Sequence, residues 1–471
     1  MAAAVPITRP QAQVTTARRA TRSTEVFGGR RISLRRVVGA GSTTPGLMLL
    51  TGVILVLVSL LAGLFAVLAV DERSDAAKSV ATGSEPLGVQ TQEIYRALAD
   101  ADATAAAGLL EGGVESADVR TRYQAAINNA ASTLIQATAA GSSGKAEASA
   151  LNTIGVLLPE YARLVERARA ETRQGNTVGA AYLRSASNNV MRAQILPAAK
   201  ALHDLAEKRL AADHRDATST PWAPLATPAV GLIAFGVALW FFARRTHRRI
   251  NVGLLIGALA TIASAIWLWT GTAASRDDLD RSRSDGWGPV ETLAQARFLA
   301  LRAHGDESLT LVMRGSDNGR YEADFAEAFN ALLTGVPARD GAPAVPAILD
   351  QAERRARGDA TTLARIAEAR AAAVAWGEAH TKVTTLYKEG NFEAAVDQVT
   401  EVDGASRVAF GRIDEALGAA VTEDQKDFTR AVASGRDALT GIAIGVGVLA
   451  LIAAAAAVEG VRREVRRYNR P

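Results

Sequence analysis

The chain of 471 residues contains no cysteine, so no disulfide can form and every domain must be held together by apolar packing. Its five histidines show no ligand spacing, whereas a zinc site requires several converging side chains. The sequence contains no phosphate loop, dinucleotide-binding glycine pattern, nucleophile elbow or kinase signature. We therefore expect a protein that is not an enzyme and that carries no metal or cofactor. The histidines are His203, His214, His247, His304 and His380.

Four long apolar stretches contain no Asp, Glu, Lys, Arg or His. They comprise residues 46–70, 222–243, 250–274 and 438–458. At about 1.5 Å per residue, each is long enough to cross roughly 30 Å of hydrocarbon. The pattern predicts an integral membrane protein with four transmembrane helices. The absence of ionisable residues within the spans argues against a transporter, because such residues commonly mark ion or proton routes.

Positive charge is concentrated in three segments next to the apolar stretches. Residues 1–45, 244–249 and 459–471 carry net charges of +7, +4 and +3, so the total of +4 leaves −10 for the rest of the chain. Short segments rich in arginine remain in the cytoplasm. We therefore expect a plasma-membrane protein with both termini inside. Because this basic charge lies beside lipid headgroups, it gives no support for nucleic-acid binding.

The first apolar stretch has an alternative interpretation as a cleaved signal peptide. Its basic lead, residues 1–45, and its apolar core, residues 46–70, both exceed the usual dimensions of such signals, so we expect a transmembrane helix. The lead itself has the composition of a disordered tail.

Two polar segments, residues 71–221 and 275–437, each have the size of a single domain. Both are rich in helix-forming residues, and apolar residues recur in steps of three and four, which is typical of helices packed in a bundle. The sequence predicts an all-α protein with two extracytoplasmic four-helix bundles. The recurring residues are Leu151, Ile154, Leu158, Tyr161, Val165 and Ala168 in the first segment, and Phe392, Ala395, Val399, Val402, Ser406, Ala409, Ile413, Ala416 and Ala420 in the second.

The two polar segments show features of an internal duplication. Gly175-Asn176 and Gly390-Asn391 precede the last long helix of each segment, and Asp102-Ala103-Thr104 resembles Asp306-Glu307-Ser308. Because alanine-rich helices also align by composition alone, the duplication is a prediction.

Two sets of residues are candidates for ligand binding and for helix packing. Arg96, Arg297 and Arg302 lie on the first helix of their bundles and could bind a carboxylate through bidentate guanidinium groups, although surface arginines are common. Small residues let membrane helices approach closely, although glycine is also simply frequent in such helices. The packing candidates are Gly253, Gly257, Gly441 and Gly445.

The overall architecture resembles a known family. The outer bundles are similar to the four-helix sensor domains of chemoreceptors. Together with four spans, an Arg-rich tail, an arginine-rich inner link and a short Arg-rich C-terminus, they resemble the GlnX family of actinobacterial membrane proteins. The high alanine and arginine content fits that group. The resemblance implies a relay from an extracytoplasmic glutamine/glutamate-type binding lipoprotein to a cytoplasmic serine/threonine kinase, protein kinase G, that controls nitrogen metabolism.

The residues alone lead to a less specific expectation. Because only short segments of the chain are predicted to lie in the cytoplasm, we expect an intracellular signal to require a cytoplasmic partner. The alternatives are a structural scaffold of the cell envelope or an accessory subunit of a transporter. Membrane lipids are expected partners, and a homo-oligomer is left open. The candidate contacts for the cytoplasmic partner are Arg244, Arg245, Arg248, Arg249, Arg462, Arg463, Arg466 and Arg467.

Overall fold

The computed structural model describes residues 44–112, 115–140, 144–218, 222–246, 251–281, 287–338, 343–437 and 441–468. The predicted basic tail, residues 1–45, lies almost wholly outside this part. About 90% of the structure is helical, and the described residues form no strand beyond an isolated bridge between Val336 and Val345. The predicted all-α class is confirmed.

Fifteen α-helices are described. They are α1 (Thr44–Ser79), α2 (Glu85–Leu110), α3 (Ala117–Ala139), α4 (Lys145–Arg173), α5 (Val178–Arg184), α6 (Leu196–Thr218), α7 (Trp222–Thr246), α8 (Val252–Arg281), α9 (Gly288–Met313), α10 (Arg320–Leu333), α11 (Ile348–Arg355), α12 (Ala360–Lys388), α13 (Phe392–Thr400), α14 (Ala405–Asp437) and α15 (Ile442–Tyr468). Two π-helical segments, Val80–Ser84 and Ser185–Ile195, join α1 to α2 and α5 to α6.

Four helices, α1, α7, α8 and α15, are long and apolar enough to cross a membrane. They form a ring in which α1 packs on α15 and α7, and α8 packs on the same two helices. Met48, Phe235 and Leu254 are buried inside the ring, whereas Phe65 and Ile233 are 57% and 67% exposed on its outer side. Exposed apolar side chains of this kind are suited to contact with lipid acyl chains.

Glycine allows close contact between α8 and α15. A Cβ added to Gly253 would lie 2.5 Å from the Cα of Gly460, and one added to Gly257 would lie 3.3 Å from the carbonyl oxygen of Ala453. Asn251 Nδ2 donates a hydrogen bond of 3.1 Å to the carbonyl oxygen of Gly460. Small residues therefore bring these two backbones together.

The other two glycine candidates behave differently from each other. Gly445 lies against the ring of Trp267, which would be 2.7 Å from an added Cβ. Gly441 precedes α15 with a φ of +84°, and no described residue lies within 4 Å of an added Cβ. Its role is therefore conformational, since glycine adopts positive φ readily.

The first polar half, made of α2 to α6, packs around one apolar core. All six residues of the repeating pattern on α4 are buried, and Ile154, Tyr161 and Ala168 are fully inaccessible. Helix α4 thus presents the predicted apolar stripe to α2, α3 and α6.

The second polar half, made of α9 to α14, shows that part of the second pattern is wrong. Its seam does not continue through one helix, because α13 ends at Thr400 and α14 begins at Ala405. Val402 lies in the intervening turn and is 76% exposed, whereas Val399 is 2% exposed. The N–H of Gly404 bonds to the carbonyl oxygen of Glu401 and closes this turn. The spacing of apolar residues continues across the turn, although the helix ends before it.

Two pairs of helices at corresponding places in the two halves have equal lengths. Helices α2 and α9, which open the first and second halves, each contain 26 residues. Helices α4 and α12, which carry much of the two cores, each contain 29 residues. Equal lengths at corresponding places support the predicted duplication, since alanine-rich composition alone does not fix helix ends.

A helical path of 65 residues, Gly46–Leu110, runs from the ring of apolar helices into the first polar half. The C-terminal part of this path, α2, packs along α9 of the second half. The two polar halves are therefore in direct contact, and their interface is joined to the apolar ring by one helical path.

Candidate functional site

Helices α2 and α9 form the centre of the interface between the halves. The rings of Tyr95 and Phe298 stack with their centroids 4.3 Å apart. Further along both helices, a Cβ added to Gly305 would lie 3.3 Å from the Cα of Ala103. The absence of a side chain at Gly305 therefore lets the two helices approach closely at the level of the buried acidic residues.

Arg192 links buried carboxylates of the two halves. Its Nε donates a hydrogen bond of 3.1 Å to Asp102, and its Nη1 donates to Asp306 of the second half. Ser187 also donates to Asp102, at 2.8 Å. Asp306 is fully buried, and this burial raises its pKa to about 6 against the opposing effect of Arg192. One guanidinium thus holds an acidic residue from each half.

A second ionic cluster lies around Asp414. Arg297 donates to this carboxylate at 2.6 Å, and Arg122 of the first half donates to it at 3.0 Å. Arg122 also binds Asp100 at 2.9 Å. Burial opposes ionisation of Asp414, but the two arginines outweigh it and lower its pKa. This cluster is a second charged connection between the halves.

A cavity of about 400 Å³, which we call the Arg302 cavity, lies between the halves. Arg302 reaches three carboxylates, those of Asp306, Asp324 and Glu327, only at 3.8 to 3.9 Å. Within the described part of the chain it makes no hydrogen bond, so its donors are available. The cavity is lined by Tyr95, Ala99, Asp102, Ala103, Arg192, Leu196, Pro197, Lys200, Phe298, Leu301, Arg302, Gly305, Arg320 and Asp324.

The three arginines predicted to bind a ligand are placed differently. Arg96 is bonded to Glu93 at 2.6 and 2.8 Å and lies 3.6 Å from Asp100. Arg297 is bonded to Asp414. Of the three, Arg302 alone lines the Arg302 cavity. Arg302 therefore stays the candidate with unused hydrogen-bond donors.

The arginines predicted to meet a cytoplasmic partner are only partly described. Arg462 and Arg466 are exposed on α15, and Arg463 bonds to Glu459 at 2.8 Å. The guanidinium of Arg244 lies 5.3 Å from the ring centroid of Trp240. Arg248, Arg249 and the side chains of Arg245 and Arg467 lie outside the described part.

A buried hydrogen-bond network stabilises the second half. Glu307 accepts hydrogen bonds from Trp376 at 3.3 Å and from Ser406, and lies 2.9 Å from Nδ1 of His380. The other ring nitrogen of His380 lies 3.2 Å from Glu322. Burial opposes the charge of His380, but these two carboxylates outweigh it and raise its pKa to about 9. His380 is therefore a structural cation at neutral pH.

Sequence reasoning did not find Arg192 or the buried role of Asp306. The available signal was an acidic residue among the alanines of α2 and again on α9, at Asp102 and Asp306. Buried carboxylates need a partner, so these positions predict a cation from elsewhere in the fold. The partner could not be named, because Arg192 lies 90 residues from Asp102 in sequence.

Among the described residues, no group of three or more His, Asp or Glu side chains is placed to hold a metal ion.

Comparison with known proteins indicates the class of protein to which part of the chain is similar. Residues 76–215 match a family model for an actinobacterial sensor domain. This match supports an actinobacterial sensor protein. It runs from the last turn of α1 into α6, and with the four apolar helices it suggests a membrane protein. No curated protein and no solved structure matches the chain.

Proposed function

We propose that this sensor crosses the membrane four times, binds an amino acid between its two extracytoplasmic halves, and relays that signal to a cytoplasmic serine/threonine kinase. The observation that carries the ligand site is Arg302, whose guanidinium lines a cavity without a hydrogen bond. Guanidinium groups bind carboxylates through two parallel hydrogen bonds. The ligand arrives freely or from a binding lipoprotein.

The Arg302 cavity has complementary groups for an amino acid. Arg302 and Arg320 offer donors to a carboxylate, and Asp324 offers an acceptor to an ammonium group. Lys200 also lines the cavity but bonds to Asp204 at 2.8 Å. The stacked rings of Tyr95 and Phe298 provide an apolar wall. A cavity of about 400 Å³ is large enough for a compact ligand of this class.

The helical path Gly46–Leu110 supports a relay, because it carries the cavity residue Asp102 and also crosses the apolar ring. A ligand that favours one packing of α2 against α9 would bias the position of α1 within the ring. Coupling free energies of about 1–3 kcal/mol are usual for such transitions. The inner ends of α1 and α15 would then present a changed surface to the kinase.

Ligand binding is tested by titrating glutamate and glutamine into the detergent-purified full chain in a calorimeter. We expect one of them to bind, and Arg302→Gln to weaken that binding roughly 10-fold or more, since hydrogen bonds to charged groups are strong. Arg163→Gln is the matched control, because Arg163 is 57% exposed on α4 and lines no part of the cavity. Equal binding by all three proteins would remove the Arg302 cavity from the proposal.

The kinase is tested by replacing Arg462, Arg463, Arg466 and Arg467 with Gln and measuring co-purification from native membranes. Arginine suits pairing with acidic or phosphorylated surfaces, so we expect the kinase to be lost while the protein stays in the membrane. Crosslinking distinguishes the alternatives: wall components would indicate a scaffold, and a permease would indicate a transporter subunit.

A further inference from the structure

A second cavity, which we call the His304 cavity, lies at the same interface and occupies about 280 Å³. It is formed by α2 and α3 of the first half and by α9, α13 and α14 of the second. It is lined by Asp100, Thr104, Ala107, Glu111, Asp118, Val119, Arg122, His304, Val399, Thr400, Arg407, Phe410 and Gly411.

The two cavities are counterparts in the duplicated architecture. The Arg302 cavity uses α10 of the second half and the end of the first half, whereas the His304 cavity uses α3 of the first half and the end of the second. Helix α10 follows α9 in the second half as α3 follows α2 in the first. Arg192 lies as far after the start of α4 as Arg407 lies after the start of α12, and each lines one cavity. The interface therefore contains two related cavities.

The charges of the two linings are opposite. The Arg302 cavity is lined by four cationic side chains, including Lys200 and Arg320, and by two carboxylates. The His304 cavity is lined by three carboxylates, Asp100, Glu111 and Asp118, and by two arginines. In both cavities some cations also meet carboxylates outside the lining. Arg122 of the second cavity meets Asp414. Lys200 and Arg192 of the first meet Asp204 and Asp306. The side chains that line the second cavity therefore carry a net negative charge, and those that line the first carry a net positive charge.

His304 adds a polar group that other described residues do not use. It is 8% exposed, and its Nδ1 is itself buried without a hydrogen-bond partner, 4.0 Å from the carboxylate of Glu307, so a ligand in the cavity would meet the rest of the ring. Its ring stacks on Phe410 with a centroid separation of 4.0 Å. Burial lowers its pKa to about 4, so the ring is neutral at neutral pH and retains one acceptor nitrogen.

Asp118 is the carboxylate of this cavity with most capacity for a ligand. It lies exposed in the first turn of α3 and has no ion pair within the described part of the chain. Glu111 accepts hydrogen bonds from the N–H and the hydroxyl of Ser116, and Asp100 accepts from Arg122. A cation entering the cavity would therefore meet Asp118 as an unpaired anion.

We infer that the His304 cavity is a second ligand site that takes a small molecule bearing a protonated amine, bound by Asp118 and contacting the His304 ring. Such a site goes beyond the proposed amino-acid site, because it has a different lining with a net charge of the opposite sign. A sensor with both sites would respond to two ligands through the same α2 and α9 interface.

The inference is tested with putrescine and butanediol, which share a four-carbon chain and differ in charge. Each is titrated into the detergent-purified full chain in a calorimeter. We expect putrescine to bind and butanediol not to bind. Asp118→Asn should weaken putrescine binding roughly 10-fold, the usual effect of removing a charged hydrogen-bond partner. Glu368→Gln is the control, because Glu368 is a 52% exposed carboxylate on α12 that lines neither cavity.

His304→Phe provides a second variant that keeps the stacking on Phe410 and removes the ring nitrogens. We expect it also to weaken putrescine binding, with Arg302→Gln leaving that binding unchanged. Absence of putrescine binding, or equal binding by wild type and Asp118→Asn, would overturn the inference. The proposed amino-acid site is contradicted by a different result, namely that neither glutamate nor glutamine binds to the wild-type chain.

Discussion

Tyr95 and Phe298 stack on each other across the two halves, with ring centroids 4.3 Å apart and an angle of 21° between the ring planes. Tyr95 lies as far from the start of α2 as Phe298 lies from the start of α9, so the contact joins nearly equivalent points of the two halves. Stacked aromatic pairs contribute about 0.5–1.5 kcal/mol beyond their buried area. The two halves therefore meet about a common centre, and the candidate ligand cavities lie around it.

The orientation of the chain can be tested with single cysteines, because the natural sequence has none. Cysteines at Ser132 on α3 and Ser316 after α9 should react with an impermeant maleimide in intact cells. One at Thr246, within the arginine-rich link 244–249, should react only after permeabilisation. The reverse pattern would invert the proposed topology.

The exposure of Val399 and Val402 predicts opposite responses to the same substitution. Val399→Asp would bury an unpaired carboxylate and should cost several kcal/mol, on the order of 3. Val402→Asp should have little effect, because Val402 is 76% exposed. Thermal unfolding of the purified chain measures both. If the two variants melted alike, the turn between α13 and α14 would be wrongly placed.

Removal of Arg192 should destabilise the interface between the halves. Arg192→Gln leaves Asp102 and Asp306 buried without their cation, and breaking a buried ion pair on one side costs roughly 3 kcal/mol or more. Arg163→Gln breaks an exposed pair with Glu160 and should change the melting temperature little. A small effect in both variants would mean that the Arg192 bridge does not stabilise the interface.

His380 should make stability depend on pH in the alkaline range. Its folded-state pKa is about 9 against an ordinary value of 6.5, so its contribution is fully present below about pH 6.5 and is lost as the pH rises through about 9. The unfolding free energy of the wild type should therefore fall over this range. The unfolding free energy of the His380→Gln variant should fall less over this range, since the glutamine amide does not titrate. If the pH profiles of the two proteins were parallel, the loss of stability would come from other groups.

The sequence by itself determined the class of the molecule and the position of its apolar helices. Uncharged stretches of sufficient length predict membrane-crossing helices because the hydrocarbon thickness fixes their length, and the helical pattern of α4 follows from a local period. In the second half the same pattern was wrong at Val402, because apolar spacing does not reveal a short turn at Val402 and Asp403.

Tertiary structure decided the candidate sites. Which arginine is paired depends on carboxylates far away in sequence: Arg297 meets Asp414 and Arg192 meets Asp306, whereas Arg302 has no hydrogen bond within the described part of the chain. Local composition cannot predict such contacts, since helices of nearly identical character can pack in many registers. The cavities arise from the packing of α2 on α9. The net charges of their linings differ in sign, and this difference is fixed only when two halves of similar composition pack together.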